Sequence, residues 1–310
     1  MRTIMEIVVS KKYLSWAQRE QFMPLLPSKK TVLIDGKAKP FLKWVGGKQQ
    51  LLSQFEAYFP TNFNRYFEPF LGGGAIFFHL WNTGRLPKQV FLFDNNEELI
   101  NAYHVVRSQS DALIKLLATH KKNHNKKYYY QIRSLDRQDI ELSSVEWAAR
   151  TIYLNRTCFN GLYRVNSKKQ FNVAIGSYKN PQILYEDVLE VASLALQNVC
   201  IKVEDFREVI NLAQPGDFFY FDPPYNPVSS TASFTGYTAN NFSEKDQRDL
   251  TDIFAKLTKK GCLCMLSNSY TPFILELYRD FRVEVVNAKR AVNSDGNGRG
   301  NIREVVVLNY

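Results

Sequence analysis

The stretch "FFYFDPPYNP", Phe218 to Pro227, runs apolar residues straight into an acid, two prolines and an aromatic ring. Proline donates no backbone hydrogen bond, so a strand entering this motif must stop at Asp222. An acid at the carboxyl end of a strand sits where open α/β sheets hold their ligands. Asp222 can accept hydrogen bonds there, Pro223 and Pro224 stiffen the turn, and Tyr225 offers a ring face for stacking.

A second constellation lies earlier, in "FEPFLGGGAIFF". Glycines between a strand and a helix let the backbone approach a ligand closely. Gly72 and Gly74 fit the first two positions of a dinucleotide fingerprint, but Phe77 stands where the third glycine belongs. "GGK" at Gly46–Lys48 is no phosphate loop, because Leu42 replaces its leading glycine and Gln49 its hydroxyl residue. Asp94 ends the next strand and can accept from both hydroxyls of a ribose, or it can simply cap the helix in "NNEELI". Glycines and an acid without phosphate ligands suit a nucleoside lacking pyrophosphate, and S-adenosylmethionine fits that description. "VEDF" adds Asp205 for an adenine amino group and Phe206 for its ring, or else an ordinary cap beside a core phenylalanine. Trp44, Gly46, Gly47 and Lys48 could bind the methionine end, with Lys48 near its carboxylate.

The elements that must position these residues alternate as strand, turn and helix from Pro40, which predicts a parallel α/β sheet. The rhythm breaks after Ala102. "ALIKLLATHKKNHNKKYYYQIRSL" and "SSVEWAARTIYLNRTCF" read as basic, aromatic helices, and "NGLYRVNSKKQFNVAIGSYKNP" as a β-hairpin. It resumes at "VCIKVEDF" and closes with an antiparallel pair, "FRVEVVNAKR" and "IREVVVLNY", across "NSDGNGRG". The predicted organisation is an extension over residues 1–38, a catalytic domain over 39–101 and 200–310, and an inserted module over 102–199. The 310 residues suffice for a sizeable core. A net charge of +10 favours a polyanionic partner or serves solubility alone. Cys158, Cys200, Cys262 and Cys264 have no disulfide or zinc spacing, so no metal is expected, and Cys262 and Cys264 should share one strand face. No apolar run reaches the roughly 20 residues of a membrane span, and "MRTIMEIVVSKKYL" lacks a leader's cleavage site. An intracellular, cytoplasmic protein is expected.

"PFLKWVGGK", "FEPFLGGGAIFF", "FDNNEELINAY", "NRTCFNGLYRVN", "FNVAIGSYKNP" and "YFDPPY", in this order, closely resemble the DNA adenine methyltransferase (Dam) family, and most of all the modification enzymes of GATC restriction systems. The resemblance covers residues 39–310. It implies a Rossmann-like class I S-adenosylmethionine-dependent methyltransferase with a mixed, mostly parallel sheet and an inserted helical and hairpin DNA-recognition module. Carried over by motif, Trp44, Gly46, Gly47, Lys48, Phe70, Gly72, Gly74, Asp94, Asp205 and Phe206 bind the cofactor. Asp222, Pro223, Pro224 and Tyr225 form the catalytic motif.

The N6 amino group of adenine is a poor nucleophile because its lone pair is delocalised into the ring. Asp222 and the Pro223 carbonyl can accept its two hydrogens, drawing the nitrogen toward a tetrahedral shape, while Tyr225 stacks on the extruded base. Transfer is then direct and needs no covalent enzyme intermediate. The resemblance also implies that Arg164 reads a guanine edge, that Phe159 wedges into the duplex, and that Asn160, Leu162 and Lys43 take neighbouring recognition roles. Hairpin core is the alternative for Phe159 and Leu162, and a phosphate contact for Lys43. Ala174 departs from the proline of several relatives and puts one apolar base contact in doubt. Lys121, Lys122, Lys126, Lys127, Lys168, Lys169 and Arg299 are expected partly at phosphates. "NPVSSTASFTGYTANNF" is expected to be a mobile loop that orders over the flipped base. The expected partners are double-stranded DNA, with single strands open, and a companion restriction endonuclease, the chain acting as a monomer. RNA adenine methylation, glutamine methylation and a non-catalytic DNA-binding scaffold are the competing readings.

Overall fold

The structure, a computed structural model, describes residues 36–226, 242–289 and 301–310. The extension through residue 35, the loop after the DPPY motif, the closing turn and Arg299 lie outside the described residues.

Short apolar runs stopped by proline or glycine make the strands. β1 (Tyr66–Glu68) ends against Pro69 and is wholly buried. β2 (Val90–Asp94), β3 (Cys200–Val203), β4 (Phe218–Phe221) and β5 (Leu263–Ser269) run parallel to it. β6 (Arg282–Lys289) and β7 (Asn301–Leu308) form the expected antiparallel pair, and β7 slots between β5 and β6. The order β3-β2-β1-β4-β5-β7-β6 makes a mixed, mostly parallel sheet. The α/β fold is therefore the class I methyltransferase arrangement expected from the sequence. Chain direction across the sheet reverses between β1 and β4, so a crevice opens outside their carboxyl ends.

The core beneath that crevice is aromatic. Phe67 of β1 stacks on Phe91 of β2 at 4.4 Å and on Phe219 of β4 at 4.5 Å, so one ring from each strand forms a stack across the sheet. The Arg65 guanidinium lies 5.2 Å from the Phe67 ring centre and pairs with the buried Asp217. Cys262 and Cys264 are buried in the same core, as their spacing predicted.

Helices α1 (Ala75–Asn82), α2 (Glu97–Ser108), α3 (Ser110–Asn123), α4 (Lys126–Arg133), α5 (Ser144–Thr157) and α6 (Glu186–Ala195) follow in chain order. α7 (Glu244–Lys259) and α8 (Pro272–Leu277) complete the set used here. α2 runs unbroken through the expected boundary at Ala102 and packs on β2, β3, α5 and α6. Residues from Gly36 to Tyr310 form one compact unit.

α5 is the pillar of the insert. Ser143 and Glu146 close a capping box at its start. Its second half is buried although it carries arginine and asparagine, and each finds a backbone partner. Arg156 donates twice to the Phe41 carbonyl, and Asn155 bonds both the N–H and the carbonyl of Lys43. These bonds tie the insert to the segment carrying "WVGGK".

The predicted hairpin is looser than a regular ribbon. Two isolated antiparallel bridges, Cys158 with Ile175 and Val165 with Phe171, hold it. Side chains of the preceding helical segments bind further backbone groups of the returning limb. Arg137 donates to the Phe171 carbonyl, Tyr129 and Arg133 donate to that of Val173, and Asp136 accepts from the Phe171 N–H.

Phe67→Ala should cost about 3–5 kcal/mol, because it removes the central ring of the stack and leaves a cavity. Urea denaturation followed by circular dichroism checks it.

Candidate active site

Glu68 and Asp222 end the neighbouring strands β1 and β4, on either side of the reversal point. Burial pushes the Asp222 carboxyl above its ordinary range, the Lys48 ammonium opposes this, and Glu304 reinforces it. Lys48 Nζ lies 2.8 Å from Asp222 Oδ1, and Ser267 Oγ donates to the same oxygen at 3.3 Å. Gly46, at φ +80°, turns the chain so that Lys48 reaches inward and also donates to the Gly46 carbonyl at 2.6 Å. The same ammonium lies 4.6 Å from the ring centre of Tyr225. Lys48 thus meets the DPPY motif, whereas the sequence reading placed it near a cofactor carboxylate. The Tyr225 hydroxyl donates to Glu304 Oε2 of β7 at 2.6 Å.

Buried amides hold the motif from behind. Asn268 donates to Gln247, and Gln247 donates to the Pro224 carbonyl, each at 3.0 Å. Ser269 Oγ donates to the Asn226 carbonyl at 2.8 Å. Fixing the carbonyl of Pro224 orients the turn that presents Pro223.

The glycine turn and Asp94 meet as the spacing predicted. Gly72 donates its N–H to Asp94 Oδ2 and Asn96 donates to Oδ1, both at 3.0 Å. Burial nevertheless lifts the Asp94 carboxyl to about 6, against these bonds. The cap of α2 is Asn96, whose side chain accepts from Leu99, so Asp94 is not the helix cap. A Cβ on Gly72 would come within 2.8 Å of Trp44 Cδ1, and one on Gly74 within 2.7 Å of the Tyr103 hydroxyl. Only glycine lets the turn nest between these rings. Phe206 stacks on Phe70 at 5.2 Å beside the same edge. Asp205 takes the cap position that was its alternative reading. Its carboxylate caps its own turn and pairs with Arg207, which also binds Asp246 and Asp249.

In the insert, Phe159 is 51% exposed and Asn160 is exposed with φ +54°. Arg164 is exposed too, its Nε donating to Asn172 Oδ1 at 2.7 Å. Leu162 is buried, so the core reading fits it. Lys43 Nζ lies 4.3 Å from the ring centre of Tyr178.

A family model for D12 class N6 adenine-specific DNA methyltransferases matches residues 44–292. A Type II methyltransferase of Lactococcus lactis subsp. cremoris is 46% identical over 276 residues, covering 88% of this chain and 95% of that protein. A Type II methyltransferase of Methanocaldococcus jannaschii is 42% identical over 287 residues, covering 88% and 99%. A DNA adenine methylase of Vibrio cholerae is 35% identical over 275 residues, covering 88% and 96%. The chain belongs to the D12 class of N6 adenine-specific DNA methyltransferases.

It is an adenine-specific DNA methyltransferase, and S-adenosylmethionine is its methyl donor. Among the described residues no helix is long and apolar enough to cross a membrane. Sequence reasoning passed over two acids of this methyltransferase's site. Glu68 stands in "YFEPF", an acid before proline at a strand end, which is the pattern that drew attention to Asp222. Glu304 opens the apolar run "VVVL" and carried no comparable signal.

Tyr66 donates to Glu68 at 2.8 Å, yet burial, with the Asp222 charge adding, pushes the Glu68 carboxyl up to about 8. Between its ordinary value of 4.5 and about 8, the folded protein holds a proton that the unfolded chain has released. Stability contributed by this group therefore falls as pH rises through that window, by at most about 1.4 kcal/mol per unit. Glu68→Gln should gain stability relative to wild type across the window, measured by denaturant midpoints at pH 5 and pH 8.

Proposed function

We propose that this methyltransferase modifies the adenine of GATC in duplex DNA, extruding the base and transferring the methyl group directly in line. The observation that carries the reading is the paired carboxylate of Asp222 at the reversal point of the sheet, with the Tyr225 ring beside it and Lys48 2.8 Å away.

The Gly72 and Gly74 turn, the Asp94 carboxylate and the Phe70–Phe206 ring pair line the same edge and fit an adenosyl group. Asp94 would accept from the ribose, the stacked Phe70–Phe206 pair would offer an apolar border to the purine, and Trp44, Gly46 and Gly47 would border the methionine end. S-adenosylmethionine supplies an electrophilic methyl group on a sulfonium. This chain's residues prepare the nucleophile. An extruded adenine offers two N6 hydrogens, which Asp222 Oδ and the Pro223 carbonyl accept. That leaves the nitrogen lone pair aimed away from both acceptors. Tyr225 stacks on the base, and Gln247 keeps the Pro224 peptide from rotating. Lys48 favours the ionised form of Asp222, the stronger acceptor. As positive charge grows on N6, the Asp222 carboxylate offsets it, and the strongly acidic methylated nitrogen then releases its proton.

Arg164 reads guanine, Phe159 enters the space beside the extruded base, and Asn160 and Lys43 contact neighbouring bases or phosphates. Leu162 supports them from the hairpin core. The insert, from about residue 102 to 199, is the recognition module. The relatives named as Type II methyltransferases support pairing with a restriction endonuclease, and one copy of the chain suffices for one strand of a palindrome.

Transfer of labelled methyl groups to matched oligonucleotides tests the reading. Label should enter a GATC duplex, but not a scrambled duplex, a fully N6-methylated GATC duplex or a structured RNA. Equal label on the scrambled duplex would overturn the sequence assignment, and label on RNA alone would overturn the substrate. Asp222→Ala should lower transfer by at least about 10²–10³-fold, the size of losing an electrostatic stabiliser, while filter binding of DNA persists. Arg164→Ala should lose about 1–3 kcal/mol of discrimination at one guanine, read from transfer to singly substituted sites.

A further inference from the structure

β7 is antiparallel to its neighbours, so its beginning, not its end, reaches the edge where the parallel strands terminate. Glu304 there pairs in register with Ser269, the last residue of β5. This brings an acid 79 residues distant in sequence onto the aromatic residue of the catalytic motif, with Tyr225 donating to Glu304 Oε2 at 2.6 Å. Burial first, and the Asp222 and Glu304 charges next, push the phenol well above its ordinary range, so the hydroxyl stays a donor.

A stacking ring clamps a base only if it holds one orientation. Proline fixes the backbone before Tyr225, and Gln247 and Ser269 hold the carbonyls on either side of it. Those bonds reach backbone atoms. Among the described residues, the polar contacts to Tyr225's side chain are the Lys48 ammonium 4.6 Å from the ring centre and Glu304 at the hydroxyl. Lys48 is shared with Asp222 and must accommodate an arriving amino group. Among the described residues the Glu304 side chain hydrogen-bonds to Tyr225 alone, and its backbone is paired with β5 and β6.

We propose that Glu304 is a positioning residue that fixes the Tyr225 ring for stacking on the extruded adenine. The inference rests on the proposed roles of Asp222 and Tyr225. It assigns the carboxylate of the last strand to orienting the clamp, with no proton passing to or from the base.

The test is a double-mutant cycle on full-length enzyme, using Tyr225→Phe, Glu304→Ala and the pair together. Each single change should lower kcat about tenfold, the size of losing one hydrogen bond to a charged group, with KM for DNA nearly unchanged. The double variant should be no worse than either single. Glu304→Gln, which keeps an acceptor oxygen, should recover most of the loss. Duplexes with 2-aminopurine at the target position supply a second readout. Tyr225→Phe and Glu304→Ala should raise emission from the extruded base above wild type, because a loosely held ring quenches it less. Additive losses in the double variant, or wild-type kcat and emission in Glu304→Ala, would overturn the inference. If Glu304→Ala does not fold, Tyr225→Phe alone decides, since it removes only the hydroxyl, and wild-type values there overturn the inference equally. Tyr225→Ala separates the two levels. Wild-type kcat and emission in that variant would sink the proposed site itself, whereas a defect there with wild-type behaviour in Tyr225→Phe would remove only the role of Glu304.

Discussion

A carboxylate at the mouth of a wholly apolar strand is costly to keep ionised, and the Lys48–Asp222 pair is what offsets that cost here. The strand leading to Asp222 is buried at every position, and burial alone drives the carboxyl toward its protonated form. The 2.8 Å ammonium contact opposes that drive, and Ser267 adds a donor to the same atom. The neighbouring Glu68 has the Tyr66 hydroxyl as its partner instead of an ammonium, and it rises to about 8. The two carboxyls at adjacent strand ends therefore differ in the partner that opposes burial.

That pair ties the architecture together. Lys48 comes from the segment preceding β1, Asp222 from β4, Ser267 from β5 and Glu304 from β7. The order of strands converts four distant stretches into one edge. The DPPY turn is then restrained on three sides: by Lys48 in front, by the Gln247 and Asn268 amides behind, and by Glu304 at the ring. Side chains from separate elements thereby hold the motif in one arrangement.

The hairpin after α5 is joined to the glycine-turn edge by a similar economy. Tyr163 precedes Arg164 and stacks on Trp44 at 5.5 Å. Trp44 in turn lies against the glycine turn. Asn155 and Arg156 of α5 grip the backbone of Lys43 and Phe41. Because those buried polar groups are each satisfied, the hairpin that follows α5 keeps its place without regular strand pairing of its own.

Most of this was legible in the sequence where the constraint is local. Proline after an acid stops a strand at Asp222, and glycines at positive φ must make the turn beside Asp94. Alternation of short apolar runs with helices dictates a parallel sheet. Family motifs then gave the methyl donor and the adenine chemistry. What the sequence could not determine was which charges meet. Lys48 faces Asp222, Asp205 turns to Arg207, Asn96 caps the helix that Asp94 could have capped, and Glu304 reaches Tyr225. Local patterning fixes where a chain bends and which face it buries, because those depend on neighbours along the backbone. Pairing between charges depends on distance through space, and only the order and direction of the strands decides that.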